Sequence, residues 1–563
     1  MTSDDADRQE RVTARSAAAG NADARLISEL AWEKRRTMPD AVALYDNGIA
    51  VTYAQIVSEA EELAAGFGAL GIQPGETISF QLPNWREAVA INLAAAAAGL
   101  VINPVTPIYR GAELRFILQN SRSRLIFIPD SFRSINYRTM LDELRGDLPD
   151  LQHVISVRSI LASEDTEDGY EWLRSLGRAI LPYSLPSVSP ASNKLLLYTS
   201  GTTGTAKGVI HTHDSIDHGT MSAVDFWELA ETDNMLMASP VTHITGYAFG
   251  LELPFQSDCI VTLMDRWEPT RAIELIDAHQ ITASIGATPF LKELVEEAAR
   301  LGRNLPSLRM FACGGAAVTP ELILQTARVT ERCVAFRVYG ATEIPLVTKG
   351  FLQAGQRALA SETDGEIVGY DVRIVDADGK ALGPGRVGEI RARGPAMLVD
   401  YTDHDEFLRA IDADGFFCTG DLGMVTEDNA VVVTGRLKDI IIRGGENLSP
   451  VEIERALELH PAILEAAVVS MPHPRLGEGV AAFIRAHEGA ELPSLIEIAD
   501  FLAQRDLAKQ KFPERIEYID DFPRTASGKV RKDRLRDALR QPLVITVEQA
   551  SSNARLLPTE ERS

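Results

Sequence analysis

Short, continuous apolar runs alternate with longer amphipathic stretches along the first two-thirds of the chain. Thr77 to Gln81, Leu125 to Ile128 and Leu195 to Tyr198 have the pattern of strands buried on both faces. Tyr53 to Leu70 and Arg86 to Gly99 instead carry apolar residues at helical spacing. The alternation predicts layered α/β structure with substantially parallel sheets. The most hydrophobic run, Ala88 to Pro104, is interrupted by Asn92 and Asn103 and falls short of the roughly 20 apolar residues a membrane span needs. It reads as a buried helix entering a buried strand.

From about Asp364 the texture changes to short, glycine-punctuated segments such as GRVGEIRARGP and GFFCTGDLGMVTEDNAVVVTGR, which predict a small, mostly antiparallel β subdomain. After Arg436, helical patterns (Pro450 to His460, Ile496 to Lys509) and strand patterns (Ala466 to Met471, Glu478 to Arg485) return, as expected of a smaller α+β domain of about 100 residues. The expected organisation is a disordered lead-in over 1–26, a large domain over 27–437 with its β subdomain from about 364, a small domain over 438–540, and a tail over 541–563. No fixed-period repeat stands out.

Composition narrows the function. At 563 residues the chain exceeds what one hydrophobic core usually serves. A net charge of -24 repels nucleic acid and anionic lipid, so any polyanion it handles must meet local positive charge. The cysteines, Cys259, Cys313, Cys333 and Cys418, lack CxxC spacing and indicate neither a zinc site nor a disulfide framework, which fits a reducing, cytoplasmic setting. The first 25 residues mix acids with arginines and have no apolar centre, unlike a secretory signal or transit peptide.

One segment carries recognisable chemistry. The strand-like Leu195 to Tyr198 feeds Thr199-Ser200-Gly201-Thr202-Thr203-Gly204-Thr205-Ala206-Lys207-Gly208, where glycines free backbone N–H groups to converge, hydroxyls add donors and Lys207 adds charge. This is a cradle for phosphate oxygens. It is not the mononucleotide P-loop GxxxxGK(S/T), which would need glycine at Ala206 and serine or threonine at Gly208.

The loop resembles the (S/T)SGTTGxPKG motif of the adenylate-forming enzymes, a family that includes acyl-CoA synthetases, firefly-type luciferases and adenylation domains of peptide synthetases. Ala206 replaces the usual proline. The resemblance runs from about Ile27 to Leu539 through further motifs in order. It implies a large N-terminal region of layered α/β subdomains with a β subdomain, followed by a small, mobile α+β C-terminal domain.

The resemblance also assigns roles. Tyr339-Gly340-Ala341-Thr342-Glu343 matches a motif whose aromatic ring packs on adenine, whose threonine meets the α-phosphate and whose glutamate holds Mg²⁺. A carboxylate beside a triphosphate needs such a cation between them. Gly314-Gly315-Ala316-Ala317 would border adenine and the acyl group. Asp421, in Thr419-Gly420-Asp421, and Arg436 would hold the ribose, a carboxylate being a natural acceptor for a vicinal diol. Lys438 would be the interdomain hinge, with Gly444 and Gly445 beside a thiol channel. In Pro523-Arg524-Thr525-Ala526-Ser527-Gly528-Lys529, Lys529 would be the catalytic lysine, an ammonium between the attacking carboxylate and the phosphate.

Pro240 to Gly246 would begin the acyl pocket, with His243, Tyr247, Gly286 and Gly315 as candidate lining. No aspartate lies between Pro240 and Phe249 to pair with an amino-acid ammonium, and the lining is apolar, which predicts a neutral hydrophobic acid. The stretches around Pro83 to Leu114 and Gly286 to Leu291 look most like synthetases for cyclohexanecarboxylate and medium-chain fatty acids. The expected reaction uses ATP, Mg²⁺ and coenzyme A and passes through an acyl-AMP. An acyl-carrier protein or an amine as acceptor, and a non-catalytic nucleotide-binding relative, are the alternatives.

Overall fold

The computed structural model describes residues 25–133, 135–159, 168–200, 206–315, 318–505, 507–525 and 529–540. The expected lead-in and tail therefore lie almost wholly outside the described residues, as do 201–205, Ala316, Ala317 and 526–528. The fold is mixed α/β, and it divides into two compact units. One comprises the chain up to Val372 with Ala392–Cys418 and Asp428–Ala430. The other comprises Arg373–Arg391, Thr419–Glu427 and the chain from Val431 onward.

The larger unit is built on two seven-stranded sheets. In the first, Val334–Val338, Met310–Gly314, Ala283–Ala287, Asn234–Met237, Ile260–Leu263 and Val42–Asp46 lie side by side, all parallel, and Ile49–Thr52 adds an antiparallel edge. In the second, the parallel strands Val101–Pro104, Thr77–Phe80, Leu125–Pro129 and His153–Val157 continue into an antiparallel hairpin, Asn193–Ser200 with Ala206–Thr212, capped by Asp400–Tyr401. Strands such as Leu125–Pro129 and Asn234–Met237 are buried at every residue, which is why they read as unbroken apolar runs.

Local chemistry sets the helices. Thr52 caps Tyr53–Ala69 by accepting from Gln55 N while the Gln55 amide oxygen accepts from Thr52 N, a reciprocal pair that satisfies two orphan donors. Arg86–Ala98 is buried from Glu87 to Ala98 and ends where Gly99 takes a φ of 67°, turning the chain into Val101–Pro104. The expected buried helix and buried strand are both present, and no helix among the described residues is long and apolar enough to cross a membrane. Asn92 and Asn103 keep their polarity by hydrogen bonding: the Asn92 amide donates to Glu252 at 2.6 Å and that of Asn103 to Ser79 Oγ at 2.9 Å.

The smaller unit holds most of a four-stranded sheet (Asp371–Val375, Gly388–Arg393, Phe417–Val425, Val431–Arg436). It also holds a five-stranded sheet in which Ile463–His473 and Gly477–Ala486 form a long antiparallel pair. Pro450–Glu458 and Leu495–Ala503 cover that sheet, with Ile453, Leu457, Ile498 and Leu502 at 0% exposure. The cysteines are all free thiols.

Candidate active site

In open parallel sheets, ligands bind beyond the carboxyl ends of the strands. Four neighbouring strands of the first sheet deliver candidate residues at that edge: Asn234–Met237 leads to Ser239 and His243, Ala283–Ala287 carries Gly286, Met310–Gly314 leads to Gly315, and Val334–Val338 leads to Tyr339 and Gly340. The register places Ala287 opposite Gly314 and Gly314 opposite Val338, so these ends are adjacent. Several are glycine for want of space. A Cβ on Gly314 would lie 2.5 Å from the Val338 carbonyl oxygen, one on Gly340 2.5 Å from Leu346 N, and one on Gly286 2.7 Å from the Phe290 ring.

After Gly340 the chain makes a tight turn in which Ala341 N donates to Ile344 O and Ile344 N to Ala341 O, both at 3.2 Å. Thr342 and Glu343 form its tip. The base is closed by Thr348, whose Oγ1 accepts from Tyr339 N at 2.7 Å and whose N–H donates to the Tyr339 carbonyl at 3.1 Å.

The second sheet meets this tip. In the hairpin, Lys207 stands opposite Thr199 and Ala206 opposite Ser200, so 201–205 connect its two strands. Lys207 Nζ lies 5.6 Å from the centroid of the Tyr401 ring and 3.3 Å from Glu406 Oε1. Tyr401 in turn donates its hydroxyl to Glu343 Oε1 at 2.9 Å, and Leu398 N donates to the Glu343 carbonyl at 2.7 Å. His211, on the same strand as Lys207, has its Nε2 2.8 Å from the Thr342 carbonyl oxygen. Two segments more than a hundred residues apart thus form one cluster. Tyr401, His211 and Glu406 were not singled out from sequence, because strand pairing (Val209 with Tyr401) and not spacing brings them there.

Among the described residues no group of three His, Cys, Asp or Glu side chains is placed to hold a metal. Glu343 supplies one carboxylate next to the expected phosphates. That donor set suits Mg²⁺, which takes one or two carboxylates and completes its shell with phosphate oxygens and water.

Of the expected acyl-pocket residues, Gly286 is hemmed in, since a Cβ there would also lie 3.2 Å from Ser239 Oγ, and His243 opens the helix Ile244–Gly246. Tyr247 is placed differently from expectation. It begins a π-helical turn, Tyr247–Glu252, is 0% exposed, and gives its hydroxyl to Asn92 Oδ1 at 2.7 Å. It is enclosed as part of a polar chain, Tyr247 to Asn92 to Glu252 to Lys194, and presents no open surface.

The smaller unit carries the remaining candidates. Asp421 and Arg436 are cross-strand partners, with Arg436 Nε 2.7 Å from Asp421 Oδ1. Thr419 Oγ1 accepts from Asp421 N at 3.0 Å, and Gly420 takes a φ of 68°, so the carboxylate stands on a fixed turn. Lys438 lies in the short helix Leu437–Asp439 just beyond. Gly444 and Gly445, with φ of 60° and 90°, are the turn of the hairpin between Ile441–Arg443 and Glu446–Leu448, a conformation that two glycines adopt without strain. Lys529 is anchored by its main chain: Thr525 N donates to Lys529 O at 2.7 Å and Lys529 N to Thr525 Oγ1 at 3.1 Å.

Burial also shapes the charge state near the hairpin. His211 is held down to about 4 by burial, and the neighbouring His213 to about 2, by burial and then by the Lys194 ammonium. Both rings are neutral when folded, whereas in the unfolded chain they take up a proton below about 6.5. Stability is therefore retained above pH 6.5 and lost as pH falls from 6.5 towards 4, by about 3 kcal/mol for His211 alone. Thermal unfolding measured across that range should show a steep fall in Tm, and His211→Gln should remove about half of the part these two histidines cause, His213 supplying the rest. An equally steep fall in the variant would mean another group is responsible.

A family profile described as AMP-binding enzyme matches residues 31–402, and a second, described as AMP-binding enzyme C-terminal domain, matches 452–529. A medium-chain fatty-acid–CoA ligase of Escherichia coli (strain K12) is 33% identical over 514 residues, covering 90% of this chain and 89% of its own. A fatty acid–(acyl-carrier-protein) ligase of Streptomyces coeruleorubidus is 30% identical over 509 residues, covering 89% of this chain and 93% of its own. The crystal structure of ATP-bound MatB from Rhodopseudomonas palustris superimposes with a TM-score of 0.79 at 26% identity, covering 91% of this chain and 98% of that one.

Proposed function

The chain belongs to the AMP-binding enzyme family, and from that premise we propose that it is an ATP-dependent acyl-CoA synthetase for a hydrophobic medium-chain or alicyclic acid. It joins a carboxylic acid to ATP as an acyl-AMP, releasing pyrophosphate, and then transfers the acyl group to the CoA thiol with release of AMP. The observation that carries the assignment of its site is the cluster of Lys207, Tyr401, Glu343, Thr342 and His211, which brings the phosphate-loop hairpin against the turn that follows Tyr339.

In this reading the hairpin, with Thr199, Ser200, Gly201, Thr202, Thr203, Gly204 and Lys207, receives the phosphates, and Thr342 meets the α-phosphate. Tyr339 and Gly340, with Gly315, Ala316 and Ala317, border adenine, while Asp421 and Arg436 take the ribose. Glu343 would hold Mg²⁺, which would supply positive charge beside the phosphates. Lys529 assists that attack, and Lys438, Gly444 and Gly445 serve the thiol step. The acid would be held by apolar burial, since no carboxylate lies between Pro240 and Phe249 to favour an ammonium. The name of the Escherichia coli relative supports a medium-chain acid. That of the Streptomyces relative supports a carrier-protein thiol as the second reading of the acceptor.

A panel of linear, alicyclic and aromatic acids, assayed for pyrophosphate, AMP and CoA thioester by mass, tests the proposal. The best substrates should be neutral medium-chain or alicyclic acids. Release of ADP in place of AMP, or no acid-dependent pyrophosphate, would overturn it. Glu343→Gln should lower adenylation by roughly 10–100-fold and raise the Mg²⁺ concentration needed for half-maximal rate. An unchanged Mg²⁺ dependence would remove Glu343 from the metal site.

A further inference from the structure

Side chains four residues apart on a strand point the same way, so one face of Ala206–Thr212 carries both Lys207 and His211. Lys207 faces Tyr401. His211 is 0% exposed, and its Nε2 faces the Thr342 carbonyl at 2.8 Å. A carbonyl only accepts, so Nε2 bears the proton. Nδ1 of the neutral ring is then an acceptor facing Ser215 Oγ at 3.1 Å, and the one proton of that hydroxyl is shared between Nδ1 and the Thr212 carbonyl 3.2 Å away. Ser215 is itself fixed by the cap of the following helix: its Oγ accepts from Thr212 N and its N–H donates to Thr212 Oγ1, both at 3.1 Å. The Thr342 carbonyl thus sets the tautomer, while the cap holds Ser215 beside the ring.

The tip of the turn is held from two strands. Leu398 N and the Tyr401 hydroxyl fix Glu343 by its backbone and its carboxylate, and His211 fixes Thr342. We propose that His211 is a positioning residue for adenylation, its Nε2–H orienting the Thr342–Glu343 tip towards the phosphates that Lys207, on the same strand face, receives. This rests on the function proposed above. Small misplacements of such a group are expensive, about 100-fold in rate for roughly 1 Å.

The test compares three variants. His211→Leu removes the donor. His211→Gln keeps an amide N–H with the reach of Nε2. His211→Asn keeps polarity but is too short to reach the carbonyl. The expected result is a loss of acyl-AMP formation of about 10–100-fold in the Leu and Asn variants, recovery to within about fivefold in the Gln variant, and a KM for the acid within about twofold of wild type throughout. Binding of ATP with Mg²⁺ in the absence of acid, followed by calorimetry, should weaken in the same order. That measurement judges His211 even if the acid panel overturns the proposed activity. Should the Leu variant fail to fold, the contrast between Gln and Asn carries the test. Equal activity and equal ATP binding in those two, or a KM for the acid that rises together with the loss of rate, would show that His211 only fills space.

Discussion

Lys529→Ala should reduce acyl-AMP formation by roughly 10²–10³-fold while leaving thioester formation from supplied acyl-AMP within a few-fold of the native rate. A carboxylate and an α-phosphate are both anions, and their approach is unfavourable unless positive charge stands between them. An ammonium there contributes most as the transition state gathers charge. In the second half-reaction the nucleophile is a thiol and the leaving group AMP, and Lys529 has no such task. Two hydrogen bonds with Thr525, one from its main-chain N–H and one to its hydroxyl, hold the Lys529 main chain, so the substitution removes charge without loosening the segment. Pyrophosphate exchange and acyl transfer, measured separately, check it. Equal losses in both would show that Lys529 has another role.

The second large effect is on stability. Lys194 and Glu252 form an ion pair at 2.6 Å with side-chain exposures of 3% and 0%, and Glu252 also accepts from Asn92 at 2.6 Å. Removing one partner strands a charge in the interior, and Glu252→Ala should cost about 3–5 kcal/mol in urea unfolding. Removing both charges with Lys194→Met and Glu252→Leu should recover most of that, since a buried pair replaced by apolar volume is often neutral. The residual deficit would come from the Asn92 amide, left without its acceptor. A double variant as unstable as the single would contradict this account.

The elements that could be read from the chain are those whose burial follows a simple period. Leu125–Pro129, with every residue buried, is as legible as the helix Arg86–Ala98 beside its strand. The Lys207 hairpin and the turn at Tyr339 were legible as motifs because the roles proposed for them depend on local backbone and hydroxyl chemistry. What could not be read is the contribution of distant partners. Tyr401 reaches Glu343 only because Asp400–Tyr401 pairs with Ala206–Thr212. Asn92 reads as a flaw in an alanine-rich helix, and its purpose appears only when Glu252 and Tyr247 arrive from a π-helical turn. The same turn accounts for Tyr247: its surroundings read as apolar, but its hydroxyl is committed to a polar chain whose members lie on separate elements.

The hairpin also constrains how this protein can be altered. With Lys207 set opposite Thr199, a slip of one residue in the pairing of the two strands would turn every side chain of Ala206–Thr212 to the opposite side. Lys207 and His211 would depart together, taking the proposed phosphate contact and the proposed turn anchor in a single event. Loop exchange with relatives is therefore an all-or-nothing graft: a donor loop that keeps this register can bring new hydroxyls, but one that shifts it displaces both residues however good its composition.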